Sequence, residues 1–295
     1  MNESSKADVL VSIVHYSAPD LLGRCLESFR RSPPALPYRI IIADNSARYE
    51  PINEIIGENG GAELLELEEN IGFGAGNNRA VAGSNEKYLF FLNPDTEIRQ
   101  GTLEALVERL ENDGDIAAVG PLNVGPTGEV QYSCRAFPGY RTFLGHRHSF
   151  LTKWFPSNPY SRDYLQTNWD HTEAREVDWI SGAAMMVRRS DFEAVGGFDE
   201  TFFLYAEDVD LCLRLHQLGK KVYYDPSATI QHTVGGSSSK NRFRALWERH
   251  RSMYTFYRKH YSLEIPLIDF MTLLGITLRG VCYLVLEAAG RTPHR

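Results

Sequence analysis

Short runs of consecutive hydrophobic residues alternate with amphipathic stretches along the N-terminal part of the chain. Unbroken runs of this length predict strands that are buried on both faces of a parallel sheet. Between them, apolar residues recur at helical spacing, as at Leu22, Leu26 and Phe29. Strands that alternate with helices predict an α/β fold with one doubly wound, mainly parallel sheet. The predicted strands are 9–16, 39–43, 64–67, 88–92 and 116–122; the predicted helices are 19–31, a segment from 78 to about 84, and 102–112.

The strand at 88–92 runs directly into Asn93, Pro94 and Asp95. Because Pro94 cannot donate to a strand ladder, the strand is expected to end there. Asp95 would then lie at the carboxyl end of a strand, where open α/β sheets bind their ligands. A carboxylate at that place can hold a divalent cation against a diphosphate. The alternative is that Asp95 only caps the next helix.

Three glycines of the segment 70–78 follow the third predicted strand rather than the first. Their position and spacing differ from the dinucleotide-binding fingerprint G-x-G-x-x-G, so an oxidoreductase is not favoured. The segment offers backbone that a ligand can approach closely and asparagine side chains that can hydrogen-bond to it. A plain strand-to-helix turn is the alternative.

An apolar segment at 177–188 contains small residues that would let a substrate lie close to the backbone. Further along, Glu207 and Asp208 follow five aromatic or apolar residues and lead into an amphipathic helix. The helix macrodipole by itself explains acids at a helix N-terminus. A carboxylate that enters from apolar surroundings can instead have the raised proton affinity that general-base catalysis requires.

His232 ends the second of two short predicted strands, 222–225 and 229–232, and precedes a Gly/Ser-rich run. A single histidine is usually structural. At the end of a strand, however, His232 could complete a metal site together with Asp95.

Composition narrows the class of protein. A hydrophobic fraction of 43% and a charged fraction of 23% are typical of a globular protein. The net charge of −7 argues against a general nucleic-acid binder. The four cysteines are far apart, which predicts neither a zinc site nor a disulfide framework and fits a reducing cytosol. The polar N-terminus does not have the pattern of a signal peptide.

Basic residues are concentrated in two segments. The segment 134–153 has basic and aromatic residues and no acid, which predicts either a surface loop or a lid that contacts an anionic, partly apolar ligand. The segment 240–261 has seven Lys or Arg residues and one acid. As a helix it would present cations to a diphosphate or to an anionic membrane surface.

The segment 267–289 is apolar and approaches the length of a membrane span, but Asp269, Arg279 and Glu287 interrupt it. Each charge near the centre of a span costs about 2.5–3.5 kcal/mol, so an amphipathic helix in the membrane plane is favoured over a spanning helix. The expected organisation is a catalytic domain at 1–262 and a C-terminal helical segment at 263–295.

Seven motifs occur in a fixed order between residues 8 and 260. They are Val11-Ser-Ile-Val-His-Tyr16, Ala43-Asp-Asn-Ser46, Asn70-Ile-Gly-Phe-Gly-Ala-Gly-Asn-Asn78, Leu92-Asn-Pro-Asp-Thr96, Ser181-Gly-Ala-Ala184, Gly196-Gly-Phe-Asp-Glu200 and Glu207-Asp208. As an ordered set, they make the chain resemble glycosyltransferase family 2, and within it the bacterial rhamnosyltransferase branch that builds cell-envelope polysaccharide.

The resemblance implies the GT-A fold and inversion of the anomeric centre in a single displacement. It implies that Asp208 is the general base and that Glu207 orients the acceptor or the base. It also implies that Asp95 and His232 hold Mg²⁺ or Mn²⁺ between two phosphates. Asn93 stands where the wider family has the first acid of Asp-x-Asp, and one carboxylate fewer predicts weaker metal binding. The residues assigned to the nucleotide sugar are Val14, Tyr16, Asp44 (for the base), Asn45, Asn70, Gly72, Gly76, Asn77, Asn78, Asn93, Asp95 and Arg242.

The expected function is therefore transfer of L-rhamnose from dTDP-rhamnose to a polyprenyl-diphosphate-linked or polysaccharide acceptor. The expected location is the cytoplasm, with peripheral contact to the inner leaflet of the membrane. Three alternatives stay open: the same scaffold with a UDP-sugar donor, a non-catalytic sugar-nucleotide-binding subunit of an envelope-assembly complex, and a membrane adaptor that uses only its C-terminus.

Overall fold

The computed structural model describes residues 8–46, 52–139, 164, 166, 169–233 and 242–289. The strands in this part of the chain are β1 Val9–His15, β2 Tyr38–Asp44, β3 Ala62–Glu66, β4 Tyr88–Leu92, β5 Thr96–Ile98, β6 Ile116–Val124, β7 Val130–Gln131, β8 Cys134–Arg135, β9 Arg175–Glu176, β10 Trp179–Ile180, β11 Ala184–Arg188 and β12 Lys221–His232. The helices are α1 Pro19–Arg31, α2 Ile52–Asn59, α3 Phe73–Val81, α4 Thr102–Asn112, α5 Arg189–Ala194, α6 Glu207–Gln217, α7 Arg242–His260 and α8 Pro266–Ala288.

One large sheet runs through the molecule in the order β3-β2-β1-β4-β11-β6-β12-β5. Its first four strands are parallel to one another, and β6 is parallel to β12. Strand β11 is antiparallel to both of its neighbours, β4 and β6. A second, two-stranded antiparallel sheet joins β8 to β10. The prediction of a mainly parallel α/β sheet with a small antiparallel addition is confirmed.

The unbroken hydrophobic runs correspond to strands that are covered on both faces. Along β4, Phe90 and Leu92 face one core cluster with α1 and α4, whereas Leu89 and Phe91 face a second cluster with α6. All five residues of β4 are buried. A strand of this kind has no solvent face, so its sequence does not alternate between polar and apolar residues.

Two local predictions are corrected by the structure. Helix α3 begins at Phe73, so most of the glycine-rich segment is helical rather than a turn. The two short strands predicted at 222–232 are one strand, β12, whose register shifts between Asp225 and Thr229. The apolar segment 177–188 forms two short strands with a turn between them. The elements α2 and β5 were not predicted, and residues 140–153 of the predicted basic loop lie outside the described part of the chain.

Helices α7 and α8 pack against each other at the C-terminal end of the chain. Gly280 of α8 lies against His250 of α7, where a Cβ on the glycine would meet the imidazole ring at 3.2 Å. Asp269 of α8 accepts hydrogen bonds from Tyr257, at 2.7 Å, and from Ser262. The opposite face of α8 is apolar and exposed, and α8 is the one described helix long and apolar enough to cross a membrane by length and composition.

Candidate active site

The turn that follows β4 holds Asp95 at the carboxyl edge of the sheet. The backbone amide of Asn93 donates to the carbonyl of Ala183, at 2.9 Å, and the carbonyl of Asn93 accepts from the hydroxyl of Thr96, at 2.5 Å. Asp95 is 8% exposed. These bonds fix the backbone on both sides of Pro94. They therefore set the direction in which the Asp95 side chain leaves the turn.

Strand β5 brings His232 to Asp95, because Thr96 of β5 pairs directly with His232 of β12. Nε2 of His232 lies 3.4 Å from Oδ1 of Asp95, and Nδ1 of His232 is hydrogen-bonded to Gln131 at 3.1 Å. The backbone amide of Thr233 donates to the Asp95 carbonyl at 2.9 Å. Two distant segments of the chain therefore place an imidazole nitrogen beside a buried carboxylate.

This pair fits a divalent cation. Oδ1 of Asp95 is buried and accepts no hydrogen bond within the described part of the chain, although a buried carboxylate oxygen normally has a partner. The Gln131 contact orients the imidazole so that Nε2 faces Asp95, as an outer partner does for a metal-binding histidine. The described residues contain no cluster of three or more His, Cys, Asp or Glu residues that could hold a metal, so the remaining ligands would be substrate phosphates and water.

Asp208 lies in the first turn of α6, and its carboxylate accepts two backbone hydrogen bonds. Oδ2 accepts from the amide of Gly182, and Oδ1 accepts from the amide of Val209, both at 2.9 Å. Gly182 is adjacent to Ala183, which contacts Asn93 on the other side. The turn between β10 and β11 therefore touches both the Asp208 carboxylate and the turn that carries Asp95. Residues 182–183 thereby connect the Asp208 carboxylate with the turn that carries Asp95, although the two acids are more than a hundred residues apart in sequence.

Burial raises the proton affinity of both carboxyl groups at the start of α6. It raises the pKa of Asp208, and the two backbone hydrogen bonds offset part of that effect. The pKa of Glu207 is raised well above its usual range by burial first and by the charges of Asp208 and Asp210 second. Oε2 of Glu207 is buried without a hydrogen-bond partner in the described structure. A carboxylate with raised proton affinity beside a second acid is the environment expected for a general base.

The backbone just before this pair is strained. Tyr205 and Ala206 have φ angles of 69° and 68°, in the left-handed region that residues with a Cβ rarely adopt. Each such residue costs about 1–3 kcal/mol and persists only where surrounding contacts impose it. We call residues 202–206 the catalytic loop, because the loop leads directly into Glu207 and Asp208.

Asp44 lies at the carboxyl end of β2 and is held by His15. Nδ1 of His15 donates to Oδ1 of Asp44 at 2.9 Å, and Nε2 of His15 accepts from the amide of Ala18 at 2.9 Å. The amide of Ser46 donates to the same Asp44 oxygen at 3.0 Å. Burial acts to raise the pKa of Asp44, but the hydrogen bonds from His15 and Ser46 outweigh it and lower that pKa. Asp44 is therefore a fixed carboxylate at the carboxyl edge of the sheet.

The glycines of the segment 70–78 serve close internal packing. Gly72 has a φ of 94°, and a Cβ there would clash with the carbonyl oxygen of Phe203. A Cβ on Gly74 would meet Phe198 at 3.0 Å, and one on Gly76 would meet Val14 at 3.1 Å. Val14 and Gly76 are therefore in contact with each other at the end of β1. These glycines allow α3 to approach β1 and the catalytic loop, and the roles of Gly72 and Gly76 toward a nucleotide sugar stay predictions.

The asparagines of the same region bind the protein itself. Asn45 donates to the Gly72 carbonyl at 2.8 Å and accepts from the amide of Ile71 at 3.1 Å. Asn77 is fully buried, where it accepts from Ser12 and donates to Phe73. Asn78 is bonded to the backbone of Phe198 through both groups of its amide. Both amides therefore stabilise the fold, and the roles of Asn77 and Asn78 toward a nucleotide sugar stay predictions.

The remaining predicted residues occupy different places. Tyr16 follows β1 and is half-buried, and Asn70 is half-buried and accepts from the amide of Gly72 at 3.0 Å. Arg242 begins α7 and forms an ion pair with Glu287 of α8 at 3.1 Å. The roles of Tyr16, Asn70 and Arg242 toward a nucleotide sugar stay predictions.

Three residues at this site were not predicted: His15, Gln131 and Arg135. His15 is a polar residue inside an otherwise hydrophobic run, and this is a signal that the sequence does contain. Gln131 is part of a two-residue strand that has no sequence signal. Arg135 of β8 stacks on Trp179 at 5.6 Å, and its positive charge acts to lower the pKa of Asp208.

Comparisons with known proteins point to one family. The family model described as Glycosyl transferase family 2 matches residues 10–196, and a second one, Glycosyl transferase family 21, matches residues 171–279. An N-acetylglucosaminyl-diphospho-decaprenol L-rhamnosyltransferase of Mycobacterium tuberculosis (strain CDC 1551 / Oshkosh) is 33% identical over 267 residues, which are 86% of this chain and 86% of the relative. Rhamnosyltransferase WbbL of Escherichia coli (strain K12) is 30% identical over 232 residues, 76% of this chain and 83% of the relative.

The same architecture occurs in solved structures. A crystal structure of GalNAc-T7 with UDP, GalNAc and Mn²⁺ matches 95% of this chain with a TM-score of 0.59 and 17% sequence identity. The match spans 56% of the length of that GalNAc-T7 chain. At this level of identity, the likeness concerns the fold alone.

Proposed function

The chain belongs to glycosyl transferase family 2, and from this premise we propose that it is an inverting rhamnosyltransferase. Its donor would be dTDP-rhamnose, and its acceptor a sugar on a polyprenyl diphosphate used in cell-envelope glycan synthesis. The single observation that carries the proposal is the turn at 182–183, which contacts the Asp208 carboxylate on one side and the Asp95 turn on the other. This turn connects the carboxylate proposed as the base with the turn proposed to bind the diphosphate.

Asp208 is the proposed general base. Inversion in one displacement requires a base for the acceptor hydroxyl and no covalent intermediate, so a single carboxylate suffices. The amides of Gly182 and Val209 hold the Asp208 carboxylate in one orientation. Its raised pKa makes it a stronger acceptor for the hydroxyl proton than an ordinary aspartate. Glu207, beside it, would stay protonated more readily and would donate rather than accept a hydrogen bond.

Asp95 and His232 would hold a divalent cation, Mn²⁺ or Mg²⁺. When bound, such a cation supplies positive charge that stabilises the departing diphosphate. Asp44, fixed by His15, would contact the nucleotide base. The backbone of the segment 70–72, which Asn45 holds through two hydrogen bonds, would line the nucleotide pocket.

The exposed face of the α7–α8 pair would contact the membrane. On α8, Leu267 is 71% exposed and Leu278 is 61% exposed, and Phe270 lies on the same exposed surface. Trp247 of α7 is also exposed. Burying one such side chain contributes about 1.5–3 kcal/mol, so several together would hold the protein at the bilayer that carries a polyprenyl acceptor. The charges of Asp269 and Glu287 favour an in-plane position, as does the pairing of α8 with α7.

The test of the proposal is transfer of labelled sugar to a short-chain polyprenyl-diphosphate N-acetylglucosamine. We expect turnover with dTDP-rhamnose and Mn²⁺ and little turnover with UDP-galactose or UDP-N-acetylglucosamine. Equal or higher turnover with a UDP-sugar would refute the donor assignment but keep the enzyme class. Absence of transfer from every nucleotide sugar would refute the catalytic assignment.

Membrane contact is tested separately by flotation with anionic vesicles. The double variant Leu267→Gln/Leu278→Gln, which leaves the net charge unchanged, should stay with the soluble fraction because both positions are exposed, whereas the wild type should float with the vesicles. A matched control is Leu218→Gln, an exposed leucine directly after α6. Equal flotation of the double variant and the wild type would show that the apolar face is not the contact.

A further inference from the structure

Helix α7 holds the catalytic loop as well as packing on α8. Its inner face carries Arg249 and Ser252, with Phe256 and His260 further along, at the spacing of one helix face. Phe256 belongs to the core cluster that contains Phe202 and Leu211. The same helix therefore contacts the membrane-facing α8 on one side and the start of α6 on the other.

Two contacts of α7 act directly on the strained part of the catalytic loop. The hydroxyl of Ser252, which is 2% exposed, donates to the carbonyl of Leu204 at 2.9 Å. The guanidinium of Arg249 stacks over the ring of Tyr205 at 4.8 Å. Leu204 and Tyr205 are the residues just before and within the left-handed pair. Because that conformation is unfavourable for residues with a Cβ, it needs such external contacts to persist.

The far side of Asp208 is held by the end of the same helix. Asp210, which is fully buried, forms an ion pair with Lys259 and a hydrogen bond with His260, both at 2.7 Å. The loop before Asp208 and the helical turn after it are thus both bound to α7. The catalytic loop also has a contact that does not involve α7, since the Phe203 carbonyl accepts from the amide of Phe73 at 3.0 Å.

We propose that Arg249 and Ser252 are positioning residues for the general base: they hold the left-handed catalytic loop so that Asp208 faces the acceptor hydroxyl. This inference rests on the proposed function and adds to it that the helix beside the membrane-facing α8 sets the geometry of catalysis. A general base loses much of its effect when displaced, and an error of about 1 Å can cost a hundredfold in rate. Loss of only one of the two contacts, that of Arg249 or that of Ser252, should displace the loop by less than about 1 Å.

The experiment compares Arg249→Met with Arg251→Met. Arg251 lies on the same helix, two residues away, but its side chain is 60% exposed and contacts Glu248. Both changes remove one positive charge from α7, and only Arg249→Met removes the contact with Tyr205. Ser252→Ala removes the second contact without any change in charge.

In the transfer assay, Arg249→Met and Ser252→Ala should each lower kcat about tenfold, with the Kd for the nucleotide sugar unchanged. Arg251→Met should keep both values. Because the amide of Gly182 lowers the pKa of Asp208, a looser loop should also move the acid limb of the kcat profile to higher pH. Equal kcat and pH profile in Arg249→Met and Arg251→Met would overturn the proposal.

A second measurement does not depend on activity. Hydrogen exchange of the amides at 203–208 should be faster in Arg249→Met and Ser252→Ala than in the wild type and Arg251→Met. Unchanged exchange at these amides would overturn the positioning role even if kcat fell. If the wild type transferred no sugar at all, the proposed function would fail. The exchange data would still show whether Arg249 and Ser252 of α7 hold the catalytic loop.

Discussion

Substitution of Asp208 by asparagine tests the chemistry of the site most directly. The side chain keeps its shape, but it cannot accept a proton from the acceptor hydroxyl. A positioned general base contributes about 10²–10⁴-fold to the rate. Since each tenfold is about 1.4 kcal/mol, the activation barrier should rise by about 3–5 kcal/mol. We therefore expect kcat of Asp208→Asn to fall by at least about a hundredfold.

The effect on folding should be much smaller. The carboxylate accepts from two amides, Gly182 and Val209, whereas an asparagine side chain has one acceptor oxygen. One amide would lose its partner, at a cost of about 1–3 kcal/mol. Removal of a buried charge with a raised pKa offsets part of this loss.

The assay is single-turnover transfer of labelled rhamnose to the polyprenyl-diphosphate acceptor, combined with calorimetric titration of the nucleotide sugar. Donor affinity should stay within about threefold of wild type, because Asp208 acts on the acceptor side; this bound is about 0.7 kcal/mol. The acid limb of the wild-type rate should also lie above the ordinary aspartate pKa of about 3.9. Asp208 would be refuted as the base if Asp208→Asn kept the wild-type rate. It would also be refuted if the acid limb of the wild-type pH profile lay at the ordinary aspartate pKa.

Three further predictions concern stability and metal binding. Glu207→Gln should be more stable than the wild type at pH 8, because the raised pKa of Glu207 means that its ionisation opposes folding; the difference in Tm should shrink as the pH falls toward about 4, and a constant difference would contradict it. Gly72→Ala should unfold at a lower urea concentration than Gly101→Ala, since both glycines have positive φ but only Gly72 faces a backbone carbonyl; Gly101→Ala should cost about 1–2 kcal/mol, and equal losses would refute the close approach. Asp95→Ala should abolish the rise in Tm that Mn²⁺ causes in the presence of dTDP, because binding at a hundredfold excess over Kd stabilises the folded protein by about 2.7 kcal/mol; an unchanged rise in Tm would exclude Asp95 as a ligand.

Much of the fold was predictable because the strands are buried on both faces. The run at 88–92 and the helix at 102–112 have the predicted bounds, since their patterns contain no ambiguous residue. The start of α3 was mistaken because glycine normally disfavours a helix. Contacts of these glycines with Val14, Phe198 and Phe203 outweigh that preference. Because these partners are distant in sequence, local sequence patterns do not predict the contacts.

By itself, the sequence determined the family, most of the strands and helices of the parallel sheet, and the two acids at strand and helix ends. These features are local, because periodicity and short motifs are set by neighbouring residues. The tertiary structure alone decided that β5 brings His232 to Asp95, that Asn77 and Asn78 bind the protein, and that α7 holds the catalytic loop. Each of these depends on pairing between segments far apart in the chain, whose free energy comes from packing and hydrogen bonds that exist only once the sheet has formed.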